Sequence, residues 1–150
     1  MCRGKQILGH DEAANWPRHS SDTSVRRTGL FEGPDGAEAM AVSNVLDRLD
    51  IDTMWCPGPG DAHGPRCSLV ENGQCDLLEK ADFVINNLGT ATPCGVAVTD
   101  AVDAAANEDT PVAVVAGWQQ AESIRGRLSR STVVEGPLTR QIVQEAAQAH

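Results

Sequence analysis

The feature of this sequence that most restricts its fold is an alternation of apolar runs with helical stripes. Two runs, residues 83–85 in "ADFVINNLG" and the segment "TPVAVVAG", are apolar without polar alternation. This pattern is typical of strands that are covered on both faces. "IDTMWC" and "STVVEG" predict two more short strands, and residues 25–31 predict a weaker first strand.

Helical patterns separate these runs. After the first strand, Val42, Val45, Leu46 and Leu49 recur at i, i+3, i+4 and i+7 and form one apolar stripe. Similar spacings occur in "GVAVTDAVDAAANED", "QQAESIRGRL" and "PLTRQIVQEAAQA". Strand and helix therefore alternate about five times, which predicts a doubly wound α/β fold. We expect a five-stranded parallel sheet in the order 2-1-3-4-5 with helices on both faces.

The length of the chain favours one domain. With 150 residues, 41% of them hydrophobic, it can bury a single ordinary core. Residues 1–24 have no sustained periodicity and are predicted to be a flexible N-terminal extension. Residues 25–150 are predicted to form the domain, with a cysteine-rich loop at 56–75.

The charge of the chain excludes some classes of partner. Lys and Arg number 12 against 21 Asp and Glu, so the net charge is −9, which argues against nucleic acid as a partner. No apolar run reaches the length of a membrane helix, and the N-terminus lacks the apolar stretch of a signal peptide. We expect a cytoplasmic protein with a protein partner and no membrane contact, and a homodimer stays open.

Sulfur is concentrated in one unusual segment, "CPGPGDAHGPRCSLVENGQC". On the fold predicted above, this segment and Cys94 lie at the carboxyl edge of the sheet. Their thiolates, with or without an imidazole, would suit tetrahedral Zn²⁺, and four thiolates could hold an iron–sulfur cluster. The candidate ligands are Cys56, Cys67, Cys75, Cys94 and His63.

Two other interpretations of these cysteines stay open. The thiols could be small buried residues that pack like hydrophobes. Alternatively, Cys67 and Cys75 could form a redox pair, because in a reducing compartment cysteines are metal ligands, redox centres or free thiols more often than structural disulfides. No C-x2-C spacing is present to favour metal, and His63 has the simpler interpretation of a solvated loop side chain.

From residue 25 to residue 149, the order of elements resembles the receiver domain of bacterial response regulators. In receivers, an Asp begins the third strand and the phosphoacceptor Asp follows five residues later, with a Gly about eight residues beyond. Here these positions hold Asp82, Asn87 and Gly95. The family's hydroxyl residue at the end of the fourth strand falls on Ala116, and its Lys before Pro falls on Gly136.

Other family positions are also changed. The acidic pair after the first strand matches Glu32 and Gly33, so one carboxylate remains, and the aromatic of the fifth strand falls near Val133. Because an acyl phosphate needs a carboxylate nucleophile, a metal and a cation, the resemblance implies a regulatory domain that is not phosphorylated and acts by binding a partner. It also implies that the cysteine loop replaces a helix, and no catalytic residue is assigned.

Two further functions remain as alternatives. "TPCGVAVTDAVDAA" is similar to the nucleophile region of isochorismatase-type cysteine hydrolases, with Cys94 opening a helix that would lower its pKa. The Asp and Lys that activate such a cysteine have no counterpart here, since Lys5 and Lys80 are the only lysines. A purely structural dimerisation module is the other alternative. Trp118, after the fourth strand, is either a docking anchor or a residue packed over the sheet edge.

Overall fold

The computed structural model describes residues 5–6, 26–59, 67–89 and 93–149. The strands are β1 (Lys5–Gln6), β2 (Thr28–Glu32), β3 (Asp52–Cys56), β4 (Phe83–Asn86), β5 (Val112–Ala116) and β6 (Thr132–Glu135). The helices are α1 (Gly36–Asp47), α2 (Ser68–Asn72), α3 (Asp76–Lys80), α4 (Pro93–Ala105), α5 (Trp118–Arg125) and α6 (Arg140–Gln148).

The strands form one sheet in the order β1-β3-β2-β4-β5-β6. Strands β2 to β6 are all parallel, so the predicted doubly wound sheet of order 2-1-3-4-5 is confirmed. Strand β1 adds a short antiparallel edge, with Lys5 opposite Trp55. Two residues of the predicted flexible extension therefore lie in a strand. The flexibility of the remainder stays a prediction, because residues 1–4 and 7–24 lie outside the described residues.

Alternate residues of each central strand pack on opposite faces of the sheet, which is why these strands are apolar throughout. On one face, Leu30, Val84 and Val114 pack with the helices from α2 to α5. On the other face, Phe31 and Ile85 pack against the apolar sides of α1 and α6. The two clusters cover the sheet on both sides.

Polar side chains mark where two of the helices begin. The Asp35 carboxylate accepts hydrogen bonds from the backbone N–H groups of Ala37 and Glu38 at the start of α1. The Thr139 hydroxyl accepts one from Ile142 at the start of α6. Each cap satisfies donors that have no partner inside the helix.

The segment predicted to be a loop at 56–75 is partly helical. Helix α2 lies within it, and α3 starts directly after Cys75. The two helices are separated at Gly73, which has a left-handed backbone (φ +74°) and ends α2. Leu69 and Leu78 bury their side chains in the same core cluster, so apolar packing orders this part of the chain. Prolines and glycines in the first half of the segment hid that pattern.

Trp118 begins α5 and is 69% exposed, so packing over the sheet edge does not account for it. Among the described helices, none has the length and apolar character required to cross a bilayer.

Candidate functional site

The carboxyl ends of the parallel strands bring together the positions that the sequence singled out. Glu32 lies opposite Asn86 at the ends of β2 and β4. Ala116 and Glu135 are opposite each other at the ends of β5 and β6. In sheets of this kind, ligands bind at this edge, beside the strand where the order reverses.

A cleft of about 380 Å³ opens at this edge. Asn87, Ala116 and Gly136, the three positions that the resemblance predicts to match a receiver's acceptor, hydroxyl and lysine, all line it. None of the described residues in its lining carries a charge. The lining residues are Asn87, Gly89, Val115, Ala116, Gly117, Gln120, Gly136 and Pro137.

Close packing leaves no room for a side chain at Gly33. A Cβ atom built there would lie 2.8 Å from Cζ of Phe31, and the Phe31 ring is fully buried. A second carboxylate at this position would therefore require a core ring to shift. The packing at residue 33 therefore disfavours the second carboxylate that the resemblance would place there.

Gly136 is also held closely. Its N–H donates to the carbonyl of Ala116 (2.8 Å), and its peptide bond to Pro137 is cis. A Cβ atom at Gly136 would lie 2.8 Å from a methyl group of Val115. A lysine in this position would need Val115, which is itself buried, to move.

Asn87 is fixed by contacts with neighbouring elements. Its side-chain amide donates to the Glu38 carboxylate (2.6 Å), and its backbone N–H donates to the carbonyl of Glu32 (2.7 Å). The Asn87 side chain therefore links the end of β4 to the first turn of α1. A carboxylate at residue 87 would face Glu38 with two like charges.

A buried polar row that the sequence analysis did not identify runs beside the cleft. The Asn86 amide donates to the Glu32 carboxylate (3.1 Å). The Thr99 hydroxyl oxygen lies 3.4 Å from Oδ1 of Asn86. The same hydroxyl donates a hydrogen bond to the Gly95 carbonyl (2.8 Å). Glu32, Asn86 and Thr99 are 3%, 1% and 1% exposed. Polar residues inside an otherwise apolar strand and helix stripe were the available signal.

Burial changes the ionisation of Glu32. Removal from water raises its pKa to about 7, although the hydrogen bond from Asn86 opposes this shift. A carboxyl group with this pKa is partly protonated at neutral pH. The charge of Glu32 therefore responds to pH near 7.

Three of the five predicted metal-ligating residues lie in the core on one face of the sheet, but they are not grouped as ligands of one metal ion. Cys56, Cys67 and Cys75 lie in one apolar cluster. Cys56 ends β3 and is disulfide-bonded, whereas Cys67 and Cys75 are free buried thiols and Cys94 is a free exposed thiol. Cys94 lies in the first turn of α4, and His63 lies outside the described residues.

The surroundings of Cys75 favour the neutral thiol. Burial raises its pKa, two backbone hydrogen bonds from α3 lower it, and the nearby Glu32 and Cys67 raise it further. Such a thiol holds little thiolate at neutral pH, which makes it a poor nucleophile. Within the described part of the chain, no three His, Cys, Asp or Glu side chains are grouped so that they could hold a metal ion. The predicted site, with zinc or an iron–sulfur cluster, stays a prediction for Cys67, Cys75, Cys94 and His63, whereas Cys56 has no thiolate to offer while it is disulfide-bonded.

Solved structures with a similar arrangement of elements include receiver domains of response regulators. One is the receiver domain protein (CheY-like) from Methanospirillum hungatei JF-1, at 10% identity and a TM-score of 0.56, covering 83% of this chain and 92% of that one. A receiver domain protein from Clostridium thermocellum has 14% identity and a TM-score of 0.54, covering 80% and 90%. The chain has a receiver-like fold.

The receiver-like chain spans only part of another similar structure. NtrX from Brucella abortus, solved with ADP, has 16% identity and a TM-score of 0.53 over 83% of this chain and 26% of NtrX. No protein-family model matches the sequence, and no curated protein sequence matches it significantly. At these identities the likeness concerns the fold, and function has to be argued from the site.

Proposed function

We propose that this chain is a regulatory domain that is not phosphorylated and acts by binding a protein partner. The observation that carries the proposal is the convergence of Asn87, Ala116 and Gly136 on one cleft of a receiver-like fold. The cleft lies at the carboxyl ends of the parallel strands, and its described lining contains no carboxylate and no cationic side chain for phosphoryl transfer.

Phosphoryl transfer to a protein carboxylate needs a nucleophile, a held metal ion and a cation that offsets developing charge. Asn87 offers an amide, and its N–H is engaged by Glu38. At Gly33 and Gly136, packing contacts of 2.8 Å oppose a side chain of any kind. Because several positions differ at once, these contacts support a site with a function other than phosphorylation. A single substitution would not restore phosphoryl transfer.

The test is exposure of the protein to acetyl phosphate and Mg²⁺, followed by intact-mass measurement. We expect no phosphoryl adduct on the natural chain. The Asn87→Asp variant is the matched control, since it restores the acceptor alone, and it should also remain unmodified because metal ligands and a cation are still lacking. A hydroxylamine-sensitive phosphoryl group on residues 83–89 of the natural chain would overturn the proposal.

A finer part of the proposal concerns sulfur. The grouping of Cys67 and Cys75 with Cys56 in one cluster supports either packing or a sensing role in which a metal or oxidant reorganises this region. Elemental analysis of protein purified without oxygen separates these roles. Zinc or iron at one atom or cluster per chain would support metal sensing, whereas metal-free protein in which Cys67 and Cys75 both titrate as free thiols would leave packing. The cytoplasmic location and the absence of a nucleic-acid partner also stay predictions.

A further inference from the structure

The disulfide bond of Cys56 points to a cysteine near the N-terminus. Cys56 ends β3, is disulfide-bonded and is 0% exposed. The other cysteines within the described residues, Cys67, Cys75 and Cys94, are all free thiols. The sequence contains five cysteines. Cys2 is therefore the one cysteine of this chain that can supply the second sulfur.

The pairing of β1 with β3 leads the chain toward Cys56. Gln6 is opposite Met54 and Lys5 is opposite Trp55, so each step toward the N-terminus advances one residue toward Cys56. Opposite residues lie about 5 Å apart and successive Cα atoms about 3.8 Å apart, so at most about 9 Å separates the Cα atoms of Lys5 and Cys56. The three residues from Lys5 back to Cys2 can span about 10 Å. A disulfide joins Cα atoms that are about 4.4 to 6.8 Å apart, so Cys2 is within reach of Cys56.

Strand β1 has little else to hold it on the sheet. It consists of two residues, Lys5 and Gln6, and neither is an apolar residue whose burial would favour docking. Strand pairs without a hydrophobic face are marginally stable in water, because backbone hydrogen bonds must offset the lost freedom of the chain. A covalent bond to β3 removes much of that freedom in advance. The bond can therefore decide whether β1 stays paired.

We propose that Cys2 and Cys56 form a reversible disulfide latch, which holds β1 on the outer edge of β3 when it is oxidised and releases β1 when it is reduced. In a protein that is predicted to be cytoplasmic, a disulfide is more often a redox sensor than a permanent support. Release of β1 uncovers backbone N–H and C=O groups at one edge of the sheet. The inference does not rest on partner binding or on the absence of phosphorylation.

The latch is attached beside the candidate functional site. Cys56 lies opposite Glu32 in the pairing of β3 with β2. The Cys56 carbonyl accepts a hydrogen bond from the N–H of Gly33 (3.0 Å). The bond therefore joins the N-terminal segment to the carboxyl edge of the sheet, so its redox state changes which chain segments are held there.

Both directions of the switch are thiol–disulfide exchanges. A dithiol reductant attacks the sulfur that Cys2 supplies, because Cys56 is buried, and Cys56 leaves as a thiolate that takes up a proton. The second thiol of the reductant then attacks the mixed disulfide, which frees Cys2 as a thiol and leaves the reductant as a disulfide. Oxidised glutathione reverses the change and is itself reduced to two molecules of glutathione.

Peptide mapping of the full chain under non-reducing conditions tests the pairing. After treatment with oxidised glutathione and blocking of free thiols, we expect the tryptic peptide 1–3 to be linked to the peptide 49–66. Cys67→Ser is the matched control and should keep this link, whereas Cys2→Ser should abolish it. The inference is overturned if Cys56 is free, or if it is linked to another cysteine of the chain, to a second copy or to glutathione.

Hydrogen exchange tests the release of β1. Reduction with dithiothreitol should speed exchange at residues 5–6 at least about tenfold, which corresponds to about 1.4 kcal/mol of lost protection. Strands β4 and β5 should stay protected. Cys2→Ser should exchange rapidly at residues 5–6 with or without reductant, and Cys67→Ser should respond as the natural chain does.

Two results of the exchange experiment would contradict the latch even if the bond forms. Unchanged protection of residues 5–6 on reduction would show that β1 does not need the bond. Loss of protection throughout the sheet would show that the bond supports the whole fold. The phosphorylation test is independent of both, since a chain without the bond that resists acetyl phosphate leaves the proposed function standing.

Discussion

The Asn86 side-chain amide donates a 3.1 Å hydrogen bond to the Glu32 carboxylate, and both groups are almost completely buried. This contact joins the two central strands at the edge where a receiver holds its metal ion, according to the resemblance. Here a buried carboxyl group accepts a hydrogen bond from an amide and lies near the Cys75 thiol. Burial at this position favours the protonated form of the Glu32 carboxyl group.

The first prediction concerns Glu32 and pH. Its pKa is about 7 in the folded protein against an ordinary value of 4.5, so the folded state binds the proton more tightly than the unfolded state. The stabilisation is complete below about pH 4.5 and is lost as the pH rises to about 7. The loss amounts to about 3 kcal/mol in the free energy of unfolding.

Glu32→Gln should remove this dependence, because a neutral amide of similar shape can still accept the Asn86 hydrogen bond. Urea unfolding of both proteins at pH 5 and pH 8 measures the difference. The natural chain should lose more stability than the variant between these values. Equal losses in the two proteins would show that Glu32 does not titrate in this window.

The second prediction concerns Asp103, which holds the connection between α5 and β6. Its carboxylate accepts hydrogen bonds from backbone N–H groups of Ser129, Arg130 and Ser131 and from the Ser129 and Ser131 hydroxyls. Burial raises the pKa of Asp103, but these bonds outweigh burial and lower it to about 2. The charged form is thus the one that the folded state favours.

Asp103→Asn should lower the free energy of unfolding by about 1 to 3 kcal/mol at pH 7, since one amide nitrogen would face donors that then lack an acceptor. Asp100→Asn is the matched control. Asp100 pairs with Arg127 on the surface (3.2 Å) and should contribute about 1 kcal/mol at most. Denaturant unfolding of both variants checks the order, which would be contradicted if Asp100→Asn were the more damaging change.

The third prediction tests the packing that excludes a side chain beside Glu32. Gly33→Ala should destabilise the fold by about 1 to 3 kcal/mol, because the new methyl group would meet the buried Phe31 ring. Gly126→Ala is the control, since nothing lies within 4 Å of its added Cβ atom and its φ is −75°. The control should be neutral or slightly stabilising. Similar losses in both variants would contradict the steric explanation.

The sheet could be predicted from the sequence because its strands are buried on both faces, so their apolar runs are unbroken. Helix ends were less accurate. Leu49 was assigned to the apolar stripe of α1, yet that helix ends at Asp47 and Leu49 is 37% exposed. An apolar residue can fit the helical spacing although the helix has already ended and the chain has left the core. Periodicity alone therefore does not locate the end of a helix.

The polar row and the cleft were harder to predict, for a different reason. Asn86 was hidden inside an apolar strand, and Thr99 was one polar residue in a helix stripe; their roles depend on contacts between elements that are distant in the chain. The positions of Asn87, Ala116 and Gly136 could be inferred from spacing. Spacing does not reveal that Phe31 packs against Gly33 and Val115 against Gly136, so that neither glycine has room for a side chain. Close packing is a property of the assembled core.

The last prediction separates the cysteines by reactivity. Cys67 and Cys75 are 5% and 8% exposed, and the raised pKa of Cys75 further reduces its thiolate. Cys94 is exposed in the first turn of α4. Brief treatment with iodoacetamide should therefore label Cys94 first, while the two buried thiols wait for local opening of α2 and α3. An opening free energy of about 3 kcal/mol would slow them about a hundredfold.

Peptide mapping resolves these sites, because Cys67 and Cys75 share the tryptic peptide 67–80 whereas Cys94 lies on the peptide 81–125. Cys94→Ser is the control, and it should leave slow labelling of the first peptide unchanged. Equal labelling rates for the two peptides would contradict the packing of the buried pair. If Cys94 were instead protected until a chelator was added, the protection would support the predicted metal site, since an exposed thiol has no packing reason to be unreactive.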